Sequence, residues 1–147
     1  MLKRLLGFFS SSIAIDLGTA NTLVYMQGKG IILNEPSMVA LAVDKSGMGK
    51  KILAVGQAAK TMLGKTPGQI EVIRPMKDGV IADYRVTEAM LRYFLRKALG
   101  RYQIFRPEVM ISVPAGVTST EKRAVDEETR NAGAKNTNVV EVPTLPA

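Results

Sequence analysis

The sequence predicts an α/β fold in which a mixed β-sheet, opened by a three-strand meander, is covered by flanking helices. The first observation is that the amino-terminal half contains short apolar runs separated by residues that favour turns. The second is that the carboxy-terminal half alternates helix, strand, helix and strand patterns. A series of strands followed by alternating helices and strands is typical of a sheet that packs against helices.

Short β-type runs with turn residues between them predict the meander. The runs occupy 13–18, 23–26, 31–33 and 38–43. Gly28 and Gly30 favour a turn before the short run at 31–33. Pro36 separates that run from the last one, which is predicted as the third strand of the meander. The elements that follow are predicted as a strand at 52–55, a short helix at 57–63 and a strand at 70–73.

Helix-capping residues predict two longer helices in the second half. Asp83 is a candidate N-cap for a helix at about 84–99. Thr118 and Glu121 have the spacing of a capping box, which predicts a second helix that ends near residue 132. The strands that accompany these helices are predicted at 108–113 and 139–142.

The composition narrows the chemistry that the chain can perform. It has no Cys and no His, which excludes a thiol nucleophile, imidazole acid–base catalysis and a Cys- or His-based zinc site. Any metal would be a hard, oxygen-bound ion such as Mg²⁺. The net charge is +7, but the basic residues are spread over several segments with few aromatic residues between them. That pattern favours a solvated surface, so we expect no nucleic-acid partner.

Residues 1–12 form a separate amphipathic segment. Its apolar residues recur at i, i+3, i+4 and i+7, which would place them on one stripe of a helix. They are Leu2, Leu5, Leu6 and Phe9. Lys3 and Arg4 lie off the stripe, and a basic helix with one apolar stripe is typical of a segment that lies on an anionic membrane. The pattern alone is equally compatible with a frayed terminus or with a helix packed on its own domain.

The stretch Asp16-Leu-Gly-Thr-Ala-Asn-Thr22, here called the phosphate hairpin, has the residue types of a phosphate-binding turn. Such a turn needs backbone N–H groups that point at the ligand. Gly18 would let the backbone approach the ligand, the two threonines offer hydroxyls, and Asn21 offers an amide. Asp16 ends an apolar strand and needs a partner, such as a water-bridged Mg²⁺. Asp and Asn are also common in ordinary hairpin turns, so composition leaves both interpretations open.

Three longer segments resemble a known family. They are IAIDLGTANTLVYMQGKGIILNEPSMVAL, IRPMKDGVIADYRVTEAMLRYFLRKA and VPAGVTSTEKRAV, in this order along nearly the whole chain. They are similar to the MreB family of bacterial actin homologues, within the superfamily of actin, heat-shock chaperones and sugar kinases. The resemblance implies the first lobe of an actin-like ATPase with a ribonuclease H-like sheet. Members of that family often carry a membrane-binding helix at the amino terminus, which favours the membrane interpretation of residues 1–12.

The resemblance also implies a function, with its cofactors and partners. The family consists of ATP- and Mg²⁺-binding cytoskeletal proteins that form filaments, organise wall synthesis and maintain rod shape. The implied partners are other copies of the chain, the inner face of the cell membrane and wall-synthesis proteins. The implied location is therefore cytoplasmic and peripheral to that membrane. By resemblance, the residues that contact the nucleotide phosphates are Gly18, Thr19, Ala20, Asn21 and Thr22. Asp16 would lie near the Mg²⁺ and bind it through water.

The same resemblance divides the chain into subdomains. Residues 13–33 and 70–147 would form the larger subdomain of the first lobe, and residues 34–69 would form a tip subdomain. In the family a second lobe carries another phosphate loop and the adenosine pocket. We expect that lobe to be absent from this chain, because no Asp-x-Gly-x-Gly-Thr loop occurs in it.

The carboxy-terminal motif departs from the family pattern. The family usually has two glutamates before a proline, whereas this chain reads Glu141-Val142-Pro143. Glu141 matches the first glutamate, and Val142 stands where the family places the glutamate thought to orient the attacking water. We therefore assign no catalytic residue and leave ATPase activity open. Two other functions remain: a non-catalytic assembly module, and a small-molecule kinase lobe, for which the sequence offers no sugar-binding site.

Overall fold

The computed structural model describes residues 12–44, 49–65, 68–99 and 106–143. The strands within these ranges are β1 (Ser12–Leu17), β2 (Asn21–Met26), β3 (Gly30–Pro36), β4 (Val39–Val43), β5 (Lys50–Val55), β6 (Ile70–Ile73), β7 (Met76–Lys77), β8 (Val80–Ile81), β9 (Glu108–Pro114) and β10 (Asn136–Val142). The helices are α1 (Gln57–Thr61), α2 (Tyr84–Leu99) and α3 (Ser119–Asn131).

The first sheet has five strands in the order β10-β9-β1-β2-β3. Strands β1, β2 and β3 are antiparallel neighbours and form the predicted three-strand meander. Strand β9 lies parallel to both β1 and β10. A mixed sheet results, because the helices between the later strands provide the long connections that parallel pairing requires. The predicted fold class is confirmed.

The second sheet has three strands in the order β5-β4-β6. The prediction that residues 38–43 form the third strand of the meander is wrong. That place is taken by β3, and β4 is instead the central strand of this second sheet. Pro36 lacks an N–H and is paired with Asn21 at the last position of the β2–β3 ladder. The chain leaves the first sheet at Pro36. The strand that the sequence predicted at 31–33 therefore extends to residue 36.

One face of the first sheet is buried under α2 and α3. Helix α3 packs against β10, and α2 packs against β2 and β3. Alternate residues of β1 point into this interface, where Ile13, Ile15 and Leu17 are buried together with Phe94 of α2. Truncation of a buried aromatic side chain typically costs about 3–5 kcal/mol. This interface therefore fixes the position of β1, from which the phosphate hairpin begins.

The opposite face of the first sheet, here called the outer face, is not covered by any described helix. Alternation along the strands places on it Ala14, Asp16, Tyr25, Met110, Ser112, Val140 and Val142. Tyr25, Met110, Val140 and Val142 are all exposed. The outer face is therefore the side from which a ligand can reach the ends of β1 and β10.

Helix ends and one short turn follow local sequence signals. The Val86 N–H donates to Asp83 Oδ1 at 3.1 Å, which confirms the predicted N-cap of α2. The predicted capping box of α3 is present between Thr118 and Glu121. The sequence analysis missed the small β7–β8 hairpin. Its turn residues Asp78 and Gly79 both have positive φ, and Asp-Gly is a strong signal for such a turn.

Candidate functional site

The phosphate hairpin connects β1 to β2 through a tight loop. Leu17 pairs with Thr22, so the residues between them form the loop itself. A Cβ atom at Gly18 would lie 2.5 Å from the backbone oxygen of Asn21. This distance is too short for any real Cβ contact. Gly18 is therefore required by the packing of the loop on itself, which is a different reason from the ligand approach that the sequence suggested.

The carbonyl groups of the loop are bonded by two residues, Ser37 and Arg74. Ser37 Oγ donates to the Gly18 oxygen at 2.6 Å, and the Ser37 N–H donates to the Ala20 oxygen at 3.0 Å. Arg74 Nη1 donates to the oxygens of both Thr19 and Ala20, each at 3.2 Å. In a trans peptide the N–H points away from its C=O. The N–H groups of the three residues that follow these carbonyls, at 19, 20 and 21, are therefore directed away from Ser37 and Arg74.

Thr22 does not lie at the surface of the loop. The residue is 0% exposed, and its Oγ1 lies 2.8 Å from Ser37 Oγ. Thr22 is therefore closed off from solvent in this structure, and its contact with the phosphates stays a prediction. Its hydroxyl helps to hold Ser37, which in turn holds the loop.

Asp16 lies beside the hairpin on the outer face. Its Oδ1 accepts a hydrogen bond from Ser112 Oγ at 2.5 Å, and the two residues are direct neighbours in the β1–β9 pairing. The partner that the sequence required for Asp16 thus includes the Ser112 hydroxyl. The carboxylate is exposed, so it remains accessible to a hydrated cation.

The side chains near the hairpin fit a Mg²⁺ ion that is held mainly by phosphate oxygens and by water. Mg²⁺ usually keeps several waters and uses one or two carboxylates together with phosphate oxygens. Among the described residues no three acidic side chains come together as a metal-binding cluster. Asp16 could contribute one contact to such an ion, directly or through water, with phosphate oxygens and waters completing the shell.

The end of β10 lies two strands away from β1 in the same sheet. Glu141 pairs with Val113 of β9, whose side chain is buried under the helices, and forms an ion pair with Lys122 of α3. Val142 is 45% exposed and lies on the outer face, as does Asp16. Glu141 and Val142 therefore point to opposite sides of the sheet, and Val142 is the one on the same side as Asp16.

The sequence analysis missed three residues of this site: Ser37, Arg74 and Ser112. Each contacts the hairpin across a long sequence separation, so no local pattern marks its role. All three lie within or next to the segments that resemble the MreB family. That resemblance drew attention to the segments and not to these side chains.

The predicted membrane residues lie outside the described part of the chain. They are Leu2, Lys3, Arg4, Leu5, Leu6 and Phe9. In the parts of the chain that the structure describes, no helix is both long and apolar enough to span a bilayer.

The mixed sheet and its helix-covered face define an actin-like α/β fold. The family model described as "MreB/Mbl protein" matches residues 10–147. The chain belongs to the MreB/Mbl family.

Curated relatives agree with this assignment. The chain is 51% identical over 144 residues to the cell shape-determining protein MreB of Escherichia coli strain K12, covering 97% of this chain and 42% of that protein. It is 48% identical over 139 residues to the cell shape-determining protein Mbl of Bacillus subtilis strain 168, covering 95% of this chain and 40% of that protein. The chain thus spans about two fifths of the length of these relatives.

A solved structure has the same fold. MreB5 of Spiroplasma citri bound to ADP superposes with a TM-score of 0.77 at 33% identity. The match covers 90% of this chain and 38% of MreB5. The same protein has also been solved bound to AMPPNP.

Proposed function

We propose that this chain is the nucleotide-binding first lobe of an actin-like cytoskeletal protein that binds Mg-ATP, forms filaments and helps to maintain rod cell shape by organising wall synthesis. The observation that carries the nucleotide part is the loop geometry. Three consecutive N–H groups face away from the side chains that bond the carbonyls, and such an arrangement attracts anionic oxygens. Support comes from MreB5, a relative whose structures hold ADP and AMPPNP.

The proposed site residues have distinct roles. The backbone at Gly18, Thr19, Ala20 and Asn21 contacts the phosphates, with the Thr19 hydroxyl as an additional donor. Asp16 binds Mg²⁺ through water, and its hydrogen bond to Ser112 orients the carboxylate. Since charge-assisted hydrogen bonds contribute about 1.5–3 kcal/mol each, a few such contacts account for measurable but weak binding.

The two sheets suggest how the lobe is divided. The five-stranded sheet with α2 and α3 forms the larger subdomain in this proposal. The three-stranded sheet with α1 forms the tip subdomain, which the sequence analysis placed at residues 34–69 and which in this proposal runs from β4 to β6. Residues 34–36 belong to the first sheet because they pair with β2.

Binding by the 147-residue chain should be weak. A hairpin alone supplies only part of the contacts that a nucleotide between two lobes would receive, and each tenfold loss of affinity corresponds to about 1.4 kcal/mol. We expect a Kd for Mg-ATP near the millimolar range, measured by NMR titration, and loss of that binding in Asp16→Ala and Thr19→Val. Thr120→Val, at the exposed start of α3, is the matched control and should bind as the parent does. Micromolar binding measured by calorimetry would contradict this prediction.

Membrane association rests on the amphipathic pattern of residues 1–12 and on the family resemblance. Burial of one leucine side chain contributes about 1.5–3 kcal/mol, so Leu6→Glu should lower the fraction bound to anionic vesicles at least about tenfold. Flotation of the parent, Leu6→Glu and the conservative control Leu6→Met measures this. If the glutamate variant floats with the vesicles as well as the parent does, the segment does not anchor the protein.

A second candidate, the non-catalytic assembly module, is favoured by one observation. Val142 lies on the face of the sheet that also carries Asp16, and valine neither accepts a proton nor orients water. Sedimentation and phosphate-release assays separate the two candidates. Pelleting filaments that release no phosphate would support the module, and nucleotide-stimulated phosphate release would support the ATPase.

A further inference from the structure

Two crossings connect the three-stranded sheet to the rest of the described chain, one to the five-stranded sheet and one to the β7–β8 hairpin, and both contact the phosphate hairpin. The first crossing runs from the end of β3 to β4 and contains Ser37. The second runs from the end of β6 to β7 and contains Arg74. These are the two described connections that join the three-stranded sheet to the rest of the lobe. Their contacts with the same short loop therefore link the position of that sheet to the conformation of the loop.

Ser37 is a buried contact on the first crossing. It is fully buried, and its hydroxyl lies between the Gly18 carbonyl oxygen and the Thr22 hydroxyl. Its backbone N–H bonds Ala20, so one residue fixes two of the three loop carbonyls. Because a buried hydroxyl left without partners is costly, this arrangement strongly favours a single loop conformation.

Arg74 is a charged contact on the second crossing. One of its guanidinium nitrogens donates to two successive carbonyl oxygens, those of Thr19 and Ala20. A cation bonded to a carbonyl polarises the whole peptide group, which makes the N–H on the far side a better donor. The far-side N–H groups are those of Ala20 and Asn21, which the proposed function assigns to phosphate.

We propose that Ser37 and Arg74 are positioning residues. By holding the carbonyl groups of residues 18–20, they direct the N–H groups of residues 19–21 towards the phosphates of a nucleoside di- or triphosphate. Through the same contacts they couple phosphate binding to the position of the three-stranded sheet. The inference rests on the proposed nucleotide binding for its ligand. The hydrogen bonds to the carbonyls belong to the ligand-free protein and can be tested without a nucleotide.

The test uses the full chain labelled with ¹⁵N and the variants Arg74→Gln, Arg74→Lys and Ser37→Ala. Arg85→Gln, an exposed arginine at the start of α2, is the control for the loss of one positive charge. Two quantities are measured: amide shifts and hydrogen exchange of residues 19–21 without ligand, and the Kd for magnesium pyrophosphate and Mg-ATP by NMR titration. Melting temperatures report whether the fold is intact.

Arg74→Gln should change the amides of residues 19–21 and of strand β4, and should weaken binding of both ligands about tenfold, since hydrogen bonds to a charged group are lost. Ser37→Ala should change the same amides. Arg74→Lys should retain part of the affinity, because it keeps the charge without the planar guanidinium. Arg85→Gln should leave all of these quantities unchanged.

Equal affinities and unchanged amide signals in Arg74→Gln would overturn the inference, and so would an equal loss of affinity in Arg85→Gln. If the parent chain binds neither ligand, the proposed nucleotide function fails, and the ligand-free amides alone then decide whether the two residues position the loop. If Arg74→Gln does not fold, Arg74→Lys and Ser37→Ala give the decisive comparison.

Discussion

The phosphate hairpin and the end of β10 lie in the same sheet, but they are held in different ways. The hairpin is anchored by the Ser37 hydroxyl, the Ser37 backbone N–H and the Arg74 guanidinium, which all donate to backbone carbonyls. The end of β10 is held by backbone pairing with β9 and by the Ala115 N–H, which donates to the Val142 oxygen, and the Lys122–Glu141 ion pair links it to α3. The hairpin is thus held in one geometry by several hydrogen bonds, whereas the end of β10 carries no firmly held carboxylate on the outer face.

The contacts at the phosphate hairpin and those at the end of β10 also differ in strength. Ser37 is fully buried, so loss of its hydrogen bonds leaves polar groups without partners. The Lys122 and Glu141 side chains are 39% and 41% exposed, and exposed ion pairs contribute only about 0–1 kcal/mol. The carboxylate of Glu141 is therefore not firmly fixed, and it lies on the helix-covered side of the sheet.

The largest expected effect concerns Val142. Loss of a positioned general base typically lowers a rate by about 10²–10⁴-fold. In a fusion of residues 1–147 to the second lobe of a family member, Val142→Glu should therefore raise ATP hydrolysis by about that factor. Steady-state phosphate release measures it.

The matched control is Asn138→Glu, which adds a carboxylate to the same face of β10 four residues earlier. It should leave the rate of phosphate release unchanged, because residue 138 is paired with Met110 and lies neither at the end of the strand nor beside Ser112. Equal rates in the parent fusion and Val142→Glu would show that position 142 does not serve hydrolysis. The difference between the hairpin and the end of β10 would then not explain a loss of activity.

The next effect concerns the turn at Gly18. An alanine Cβ would meet the Asn21 backbone oxygen at 2.5 Å, so the loop must open to accept it. Gly18→Ala should weaken pyrophosphate and Mg-ATP binding at least about tenfold, a loss of about 1.4 kcal/mol. Gly49→Ala is the control, since its new Cβ would lie 3.4 Å from Asp44, an ordinary contact distance. If Gly18→Ala and Gly49→Ala bind pyrophosphate and Mg-ATP with equal affinity, the loop can open without loss of binding.

Much of the fold could be predicted from local signals. The apolar runs, the Asp83 cap and the capping box at Thr118 identify elements whose formation depends on near neighbours in sequence. The assignment of residues 38–43 to the meander failed because the partner of a strand is set by distant packing. Nothing in those residues shows that β4 pairs with β5 and β6 instead of β3.

The candidate site was predictable only in part, for a similar reason. Residue types in the hairpin indicated phosphate chemistry, and the family resemblance identified Val142 as the position of the second glutamate. The burial of Thr22 and the contacts of Arg74 could not be foreseen, because they depend on where the chain returns from the second sheet. The hydrogen bond between Asp16 and Ser112 likewise joins strands far apart in sequence.

The smallest expected effect tests whether the phosphate hairpin and helix α3, which packs against β10, respond differently to pH. Burial and a hydrogen-bonded neighbour, Glu88 of α2, raise the pKa of Glu128 on α3 from 4.5 to about 7. Glu127 adds repulsion, and Arg92 partly offsets it. Within the part of the chain that the structure describes, Glu128 Oε2 is buried without a hydrogen-bond partner. The folded protein therefore binds this proton more tightly than the unfolded chain does.

The sign of the pH effect follows from that difference. Between pH 4.5 and about 7 the folded state holds more protons than the unfolded state, so the free energy of unfolding falls as pH rises through this range. Solvent screening of a partly exposed group limits the change to about 1 kcal/mol. Urea titrations at several pH values should show this slope in the parent and its loss in Glu128→Gln, while Glu108→Gln, at an exposed carboxylate of β9, keeps it. The amides of residues 19–21 should not follow this transition, because the loop carbonyls are bonded by Ser37 and Arg74 and not by α3. If the amides of residues 19–21 follow the same pH transition as α3, the hairpin and α3 are coupled.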